Sequence, residues 1–381
     1  MMTEYDVIVA GAGLTGATAA NLLANSGLDV LLVEKRRHIA GNCFDDKNSH
    51  GITIQRYGPH IFHTNDADVW RFVNDFSRFH PYQHRVLSLV DDRFVPFPIN
   101  LDTVNAVFGL NLDETELQAF FQAEVEQSRF NRPAENFRDV VVSQVGQRLY
   151  ELFFKNYTVK QWQQDPEKLA PEVAQRIPVR FDREDRYFQD EFQGIPAAGF
   201  TKLVENMLDH PRISVRLGQD YFDLKDEVAA RLSVYTGKLD TFFGGRYGEL
   251  GYRSVALRFE DLNCEYHQPA AVVNYPNEHK WTRITEFKYF LGEKAEKTTV
   301  LYEYPQAEGE PFYVTMTEDN IRKRDCYLRE AEKLEETGKY LFLGRLAEYK
   351  YYNMDQAILA AMTKIRTWGK RYGICTGTHQ G

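Results

Sequence analysis

The feature that most constrains this chain is a glycine-rich turn near its start. Gly11, Gly13 and Gly16 form the pattern G-x-G-x-x-G, with an apolar strand predicted before it and a helix predicted after it. Such glycines allow a tight turn, a close approach of backbone N–H groups to a pyrophosphate, and packing of the helix on the sheet. Glu34 ends the next predicted strand, where its carboxylate can accept hydrogen bonds from ribose hydroxyls. The pattern predicts a dinucleotide site; a glycine-rich turn without a ligand is the alternative.

Hydrophobic periodicity and turn residues divide the rest of the chain into segments. We predict strands over residues 5–10 and 29–34 with a helix over 15–26, which together make a βαβ unit. Short aromatic strands are predicted around the turns Gly58-Pro59 and Pro96-Phe97-Pro98, followed by a helical insert over about 101–156 and a mobile loop over 161–171. Antiparallel strands are predicted over 254–317, and a closing strand and helix over 340–344 and 354–369. The closing pair has the pattern of a returning part of the dinucleotide domain, so that domain is predicted to be discontinuous.

Composition excludes several classes of function. The 46 Lys and Arg against 55 Asp and Glu give a net charge of -9, the wrong sign for non-specific nucleic-acid binding. The four cysteines form no C-x-x-C pair, so neither a zinc site nor a disulfide framework is predicted. With no signal-peptide pattern and no apolar run of about 20 residues, we expect a cytoplasmic protein without stable membrane association. The aromatic content of 14% indicates either surfaces that stack on sugar or base rings or an aromatic-rich core.

The identity of the dinucleotide is indicated by the residues that follow the second strand. The segment Glu34-Lys35-Arg36-Arg37-His38-Ile39-Ala40-Gly41-Asn42 resembles the second segment of glutathione-reductase-type FAD proteins and favours FAD over NAD. Gly344-Arg345 again follows a predicted strand, where Arg345 could meet the pyrophosphate from the opposite side; a surface arginine in a turn is the alternative.

These patterns together predict an α/β fold with a discontinuous Rossmann-type FAD-binding domain, a helical insert and an antiparallel β-sheet domain. We assign residues 1–80, about 200–253 and 335–381 to the FAD-binding domain, about 100–176 to the helical domain with a mobile substrate lid at about 161–171, and about 81–99, 177–199 and 254–334 to the antiparallel domain.

Several longer strings, spread from the first strand to the last helix, carry a resemblance to a known family. They are Gly58-Pro59-His60-Ile61-Phe62-His63-Thr64, Phe94-Val95-Pro96-Phe97-Pro98-Ile99-Asn100, Phe153-Phe154-Lys155-Asn156-Tyr157-Thr158-Val159-Lys160-Gln161-Trp162, Arg176-Ile177-Pro178-Val179-Arg180-Phe181, Trp281-Thr282-Arg283-Ile284-Thr285-Glu286, and the run from Gly344-Arg345 to Met354-Asp355. In this order they resemble prokaryotic UDP-galactopyranose mutases. Two departures are Ala40, where the family often has glycine, and Asn353, where it often has aspartate.

The resemblance implies an isomerase that interconverts UDP-galactopyranose and UDP-galactofuranose with no net redox change. FAD would be active in its reduced form, with N5 attacking the anomeric carbon and displacing UDP while the sugar ring opens and recloses. The expected partners are these nucleotide sugars and further copies of the chain in a homo-oligomer. Two rivals remain: an FAD-dependent oxidoreductase of the amine-oxidase type, which shares the glycine motif, and a binding protein that uses FAD structurally.

The resemblance also implies roles for individual residues. Arg176 and Arg283 are expected to stabilise the departing diphosphate, and His63 to lie against the isoalloxazine. The expected cofactor-binding residues are Gly11, Gly13, Leu14, Gly16, Glu34, Lys35, Asn42, His60, Ile61, Arg345, Met354 and Asp355. The expected substrate-binding residues are His84, Phe153, Phe154, Tyr157, Thr158, Trp162, Tyr187, Asn274, Tyr313 and Tyr349. No metal site is predicted, because the turn at Gly58-Pro59 argues against a helix that would pair His60 with His63, and no third ligand is evident.

Overall fold

The computed structural model of this chain describes residues 3–130, 132–174, 179–224 and 227–375. In chain order the strands are β1 Thr3–Ala10, β2 Val30–Glu34, β3 Asp45–Lys47, β4 Thr53–Gln55, β5 Phe62–Thr64, β6 Phe79–Pro81, β7 Val86–Val90, β8 Arg93–Phe97, β9 Phe192–Pro196, β10 Ile213–Leu217, β11 Val228–Tyr235, β12 Tyr252–Leu262, β13 Val272–Asn274, β14 Arg283–Glu286, β15 Thr298–Gln306, β16 Tyr313–Val314 and β17 Tyr340–Phe342.

Helices lie between several of these strands. They are α1 Leu14–Asn25, α2 Ala67–Asn74, α3 Leu101–Phe108, α4 Glu114–Gln127, α5 Phe137–Leu149, α6 Asn156–Trp162, α7 Phe200–Leu208, α8 Tyr221–Leu224, α9 Leu239–Phe242, α10 Lys288–Leu291, α11 Glu318–Glu336, α12 Gly344–Ala347 and α13 Met354–Arg371. Four of them, α3 to α6, follow one another between β8 and β9. A π-helical segment, Tyr150–Lys155, joins α5 to α6. Among the helices described, none is both long enough and apolar enough to cross a bilayer.

The dinucleotide-binding part is a parallel sheet covered on both faces. Within the described residues its five strands run in the order β10-β2-β1-β11-β17, and all their pairings are parallel. Val7 and Val9 pack into the same apolar cluster as α1 and α13, whereas Ile8 and Ala10 face the opposite cluster, which includes Tyr327 of α11. A strand that is buried on both faces reads as a continuous apolar run, and this is how β1 and β2 were recognisable in the sequence.

The larger sheet of the described chain is mostly antiparallel. Its strands run in the order β16-β12-β15-β14-β13-β7-β8, so strands from before and after the helical insert meet in one sheet. One pairing differs from the antiparallel prediction, because β13 lies parallel to β7 with Asn274 opposite Ser88. The sheet is therefore mixed. The hairpin β7–β8 joins it by the parallel pairing of β7 with β13, and the chain between β8 and β13 is long rather than a hairpin turn.

Three segments differ from their predicted structure. The stretch 318–336, predicted within the antiparallel domain, is helix α11, which begins at the N-cap Thr317 and packs Tyr327 and Ala331 against the parallel sheet. Strand β9, also predicted in that domain, pairs instead with β5 and β6 in a separate small sheet. The predicted loop at 161–171 begins as the last residues of α6, because Gln161 and Trp162 continue the helical hydrogen bonding and Gln163 ends it with φ 50°.

Candidate active site

The glycine turn has the geometry that a pyrophosphate-binding loop requires. Gly11 has φ 103°, and a Cβ there would lie 2.2 Å from Oγ1 of Thr236; a Cβ on Gly16 would lie 1.9 Å from the carbonyl oxygen of Gly11. These two glycines are needed for the fold itself, since any side chain would collide with neighbouring atoms. Gly13 is different, because a Cβ there would meet no protein atom closer than 3.9 Å.

The open space beside Gly13 belongs to a cavity of about 320 Å³ at the carboxyl ends of the parallel strands. The cavity is lined by every predicted cofactor residue except Ile61 and Asp355, together with residues that the sequence reasoning missed. The missed residues follow β10, lie at or after the end of β11, or lie on a loop of the larger sheet, and include Gln219, Asp220, Tyr235, Thr236, Gly237, Lys238, Glu310 and Pro311. A signal for Thr236 was present, since it directly follows the apolar strand β11, but that strand was not identified.

The cavity fits a dinucleotide on two further observations. Glu34 is buried, and its carboxylate accepts hydrogen bonds from the backbone N–H groups of Ala12 and Arg36, at 2.9 and 2.8 Å, which fix it at the end of β2. Asp355 does not itself line the cavity, but it follows Met354, which does, and its buried Oδ1 has no hydrogen-bond partner in the described chain. A buried acceptor of this kind calls for a donor that the chain does not supply. The residues present therefore fit the flavin nucleotide that the sequence predicts.

Ala40, one of the two departures from the family pattern, occupies a position that favours glycine. It is buried and has φ 69°, in the left-handed region. The conformation turns the chain so that Gly41 approaches the glycine loop, where a Cβ on Gly41 would lie 3.0 Å from Cα of Gly13. Alanine is tolerated here at some cost in backbone strain.

Arg283 is held in a polar row that crosses the larger sheet. Its register partners are Asn274 on β13 and Glu303 on β15, and Ser88 on β7 lies opposite Asn274 in turn. Directly opposite residues project from the same face, so the row brings a guanidinium beside an amide and a carboxylate. Arg283 donates from Nε and from Nη2 to the two oxygens of Glu303, both at 2.7 Å. Burial works against the charged form, but Glu303 holds the pKa of Arg283 well above its ordinary value.

Three tyrosines lie within electrostatic range of this guanidinium. Tyr157 on α6, Tyr313 on β16 and Tyr187 lie close enough for electrostatic coupling with Arg283. Burial raises the pKa of Tyr157 and of Tyr187 above the ordinary value, so both stay neutral hydrogen-bond donors at physiological pH. The structure thus brings together one fixed cation and several neutral donors, a set suited to a diphosphate.

The three predicted histidines differ in their surroundings. His63 donates from Nδ1 to Asp190 at 2.9 Å and stacks on Phe188 with ring centroids 3.7 Å apart. His60 donates from Nδ1 to the carbonyl of Gly58, and its burial lowers its pKa to about 4. Burial likewise lowers the pKa of His84 to about 3, with smaller contributions from Arg283 and His63. His60 and His84 are therefore neutral at pH 7.

Helix α6 carries the predicted base-stacking residue Trp162 and is fastened to the segment that joins β13 to β14 of the larger sheet. Lys160 donates from Nζ to the carbonyls of Tyr275, His279 and Trp281, and burial lowers its pKa to about 8. Trp162 ends this helix and is partly buried against the apolar core. Of the other predicted contacts to the nucleotide, Phe153, Phe154, Thr158 and Asn274 are all buried.

Tyr349 is not at the site where it was predicted to bind substrate. It is fully buried, and its hydroxyl lies within hydrogen-bond distance of the backbone carbonyls of Gly251 and Thr315. The tyrosine beside Tyr313 is Tyr351, whose ring stacks on it with centroids 5.7 Å apart and an interplanar angle of 8°. This segment contains three tyrosines, Tyr349, Tyr351 and Tyr352, and the sequence does not show which of them is directed towards Tyr313. The left-handed backbone turn at Tyr349, φ 46°, sets the directions of their side chains.

Arg253 is a further residue that the sequence reasoning missed. It is buried, it lies opposite Tyr313 in the sheet, and its Nη1 donates to Gln163, the residue after Trp162, at 3.3 Å. Its Nε and Nη2 are buried without hydrogen-bond partners in the described chain, and this desolvation lowers its pKa. A buried guanidinium with unused donors is costly unless an anion meets it. Arg176, the other predicted catalytic arginine, lies outside the described residues.

Comparison with known proteins places this geometry in a family. A family model described as UDP-galactopyranose mutase matches residues 152–351, and one described as an NAD(P)-binding Rossmann-like domain matches residues 9–76. A Klebsiella pneumoniae protein named probable UDP-galactopyranose mutase is 36% identical over 370 residues, which cover 95% of this chain and 94% of that protein. The chain belongs to the UDP-galactopyranose mutase family. It is thereby an enzyme of a flavoprotein isomerase family, and the resemblance in its motifs is confirmed.

Other relatives of this mutase-family chain bear on its substrate and its fold. The dTDP-fucopyranose mutase of Escherichia coli is also 36% identical, over 369 residues that cover 93% of this chain and 96% of that protein. The crystal structure of a reduced UDP-galactopyranose mutase matches with a TM-score of 0.74 and 17% identity, covering 98% and 96% of the two chains. A redesigned putrescine oxidase matches with a TM-score of 0.56 and 10% identity, covering 97% and 99%. The two structures share the fold, and the oxidoreductase alternative is not favoured.

Proposed function

We propose that this protein interconverts UDP-galactopyranose and UDP-galactofuranose with FAD bound in its reduced state. The observation that carries the proposal is the guanidinium of Arg283, fixed by Glu303 near several tyrosines, on a sheet whose β15–β16 loop lines the dinucleotide cavity. A reaction in which a nucleoside diphosphate leaves and returns needs such a set of preorganised donors. Reduced flavin, when bound, supplies the nucleophile, N5, for the anomeric carbon.

The protein's own work is electrostatic and positional. Arg283, held in one orientation by Glu303, donates to the diphosphate, and Tyr157, Tyr187 and Tyr313 donate neutral hydrogen bonds to it. We assign Arg176 to the same task as a second cation. Arg253 completes the set, since an arriving anion would satisfy its two unused donors.

Around these donors, other residues hold the two ends of the substrate. The ring of Trp162 stacks on the base, with Phe153 and Phe154 forming the apolar floor beneath it. Tyr351, stacked on Tyr313, takes the place beside the diphosphate that the sequence reasoning gave to Tyr349. His63 lies against the flavin with its orientation fixed by Asp190.

A second candidate substrate is dTDP-fucopyranose, because a relative named for it is as similar as the one named for UDP-galactopyranose. The two substrates share the diphosphate and the pyranose ring. They differ in the C5 methyl of thymine, the ribose 2′-hydroxyl and the sugar 6-hydroxyl, so discrimination falls on the base and sugar pockets rather than on the arginines.

The test uses purified protein with its flavin content measured first. Dithionite-reduced protein is incubated with UDP-galactofuranose, and in parallel with the furanose form of dTDP-fucose, and the products are separated by chromatography. We expect conversion of the UDP sugar to UDP-galactopyranose without stoichiometric consumption of reductant, and none in the oxidised sample. Equal rates with oxidised and reduced flavin would contradict the role given to the cofactor, and faster conversion of the dTDP sugar would replace the substrate.

A further inference from the structure

A short segment of the larger sheet lies at the opening of the dinucleotide cavity. Residues 307–312, here called the strap, connect β15 to β16. Glu310 and Pro311 line the cavity together with the glycine turn, and Glu310 is also exposed to solvent, which places it at the rim. The cofactor is therefore enclosed in part by a segment that does not belong to the parallel-sheet domain.

The strap is joined to the dinucleotide domain by an ion pair. Arg36 donates from Nη2 to Oε2 of Glu310 at 2.9 Å, with the two side chains 18% and 47% exposed. Arg36 is held independently of this contact, because Nη1 donates to Asn42 at 3.0 Å and the guanidinium lies 4.5 Å from the ring centroid of Tyr57. An ion pair with one preorganised partner loses less side-chain entropy than an ordinary surface pair.

The end of the strap is fixed by backbone contacts. The N–H of Phe312 donates to the carbonyl of Arg253 at 3.0 Å, and the carbonyl of Phe312 accepts from Nη1 of Arg345 at 3.0 Å. Gly309 has φ 125°, and a Cβ there would lie 2.6 Å from Oγ of Ser254, so the turn is packed against β12. With its ends held, the part of the strap over the cavity is fastened through the side chain of Glu310.

We propose that the Arg36–Glu310 ion pair is a clasp that retains the cofactor: it closes the strap over the dinucleotide cavity, and its opening limits the rate at which FAD leaves. The proposal rests on the FAD assignment made above and concerns retention, not the isomerisation itself. It assigns a function to Arg36 and Glu310 that the family resemblance does not imply.

The experiment measures FAD release from the holoenzyme after dilution, by the rise in flavin fluorescence, at low and at high sodium chloride concentration. Because an exposed ion pair contributes up to about 1 kcal/mol, which corresponds to a factor of about 5, Glu310→Gln should release FAD ~2- to 5-fold faster than wild type at low salt. High salt should accelerate release from wild type towards the rate of the variant, since screening weakens the pair. The matched control is Glu308→Gln, which makes the same charge change in the strap at an exposed residue with no ion pair in the described chain, and which should release FAD at the wild-type rate.

Each other outcome overturns the clasp. Equal release by Glu310→Gln and wild type would mean that the ion pair does not hold the strap closed. Slower release would mean that Glu310 acts mainly by repelling the pyrophosphate. If Glu308→Gln accelerated FAD release as much as Glu310→Gln, the change in net charge, and not the ion pair, would explain the faster release. Wild-type protein that takes up no FAD would refute the cofactor assignment, and with it the clasp, before any variant is made; normal FAD uptake without isomerase activity would refute the proposed reaction alone.

Discussion

Removing Arg283 should damage the protein in two separable ways, because the residue has a structural partner, Glu303, and we also propose that it donates to the diphosphate of the substrate. Its structural partner, Glu303, has a side chain only 4% exposed, whereas that of Arg283 is 27% exposed. Breaking a buried pair by deleting one member costs about 3–5 kcal/mol, and we expect the lower end, about 3 kcal/mol, because Arg283 keeps some contact with water. Independently, loss of a preorganised donor to the diphosphate should lower kcat by ~10²- to 10³-fold.

The double variant Arg283→Ala/Glu303→Gln separates the two effects. It removes the unpaired buried carboxylate, so the free energy of unfolding should return to within about 1 kcal/mol of wild type while kcat stays low. Glu303→Gln alone keeps the guanidinium and should lose less kcat than Arg283→Ala. Urea denaturation and turnover of UDP-galactofuranose by reduced enzyme are the two assays, with the flavin spectrum as a control for cofactor content. Recovery of turnover together with stability in the double variant would refute the catalytic role.

Three further predictions follow from particular side chains. Trp162→Ala should weaken UDP binding by about 1–3 kcal/mol in calorimetry, whereas Val159→Ala, an exposed position on the same helix, should not; unchanged binding in both would exclude stacking. Tyr351→Phe should lower kcat and cost less stability than Tyr349→Phe, which should lower the free energy of unfolding by about 1–3 kcal/mol. The reverse pattern would restore Tyr349 to the site. The pKa of His84 is lowered from 6.5 to about 3, so the contribution of its neutral form to stability is present above pH 6.5 and is lost as the pH falls from 6.5 towards 3. The free energy of unfolding of His84→Gln should therefore depend less steeply on pH across that window than that of wild type.

The sequence predicted well what depends on neighbours along the chain. The turn from Gly11 to Gly16, the strands on either side of α1 and the position of Glu34 follow from local spacing, and each is where it was expected. Arg283 was assigned only through the family resemblance, because the feature that distinguishes it, its pairing with Glu303, depends on the register of β14 and β15. Register between strands is set by tertiary packing and cannot be read from spacing in one strand.

The misplacements have the same cause. Tyr349 and Tyr351 are two tyrosines on either side of Lys350, and the local sequence does not distinguish them. Only the packing of Tyr349 against the segments beside β12 and β16 decides which of the two is buried. The polar stretch after Gln161 indicated a loop. Lys160, however, donates hydrogen bonds to three backbone carbonyls of a segment distant in sequence, and these bonds hold α6 in place as far as Trp162. Arg253 gave no signal at all, since an arginine in an alternating strand is ordinarily a surface residue.

The order in which the parallel sheet receives its strands matters while the protein is being synthesised. The glycine turn emerges from the ribosome well before two of the strands that complete its sheet, since Val7 of β1 lies opposite Leu232 of β11, and Ser233 lies opposite Tyr340 of β17. In a nascent chain, one edge of the apolar strand β1 would therefore stay unpaired until β11 had been made, and β11 in turn would stay unpaired on its other side until β17 had been made. Strands that pair across such long stretches of sequence come together slowly and leave an aggregation-prone intermediate with an exposed strand edge. We therefore expect this enzyme to depend on chaperones more than its length alone would suggest.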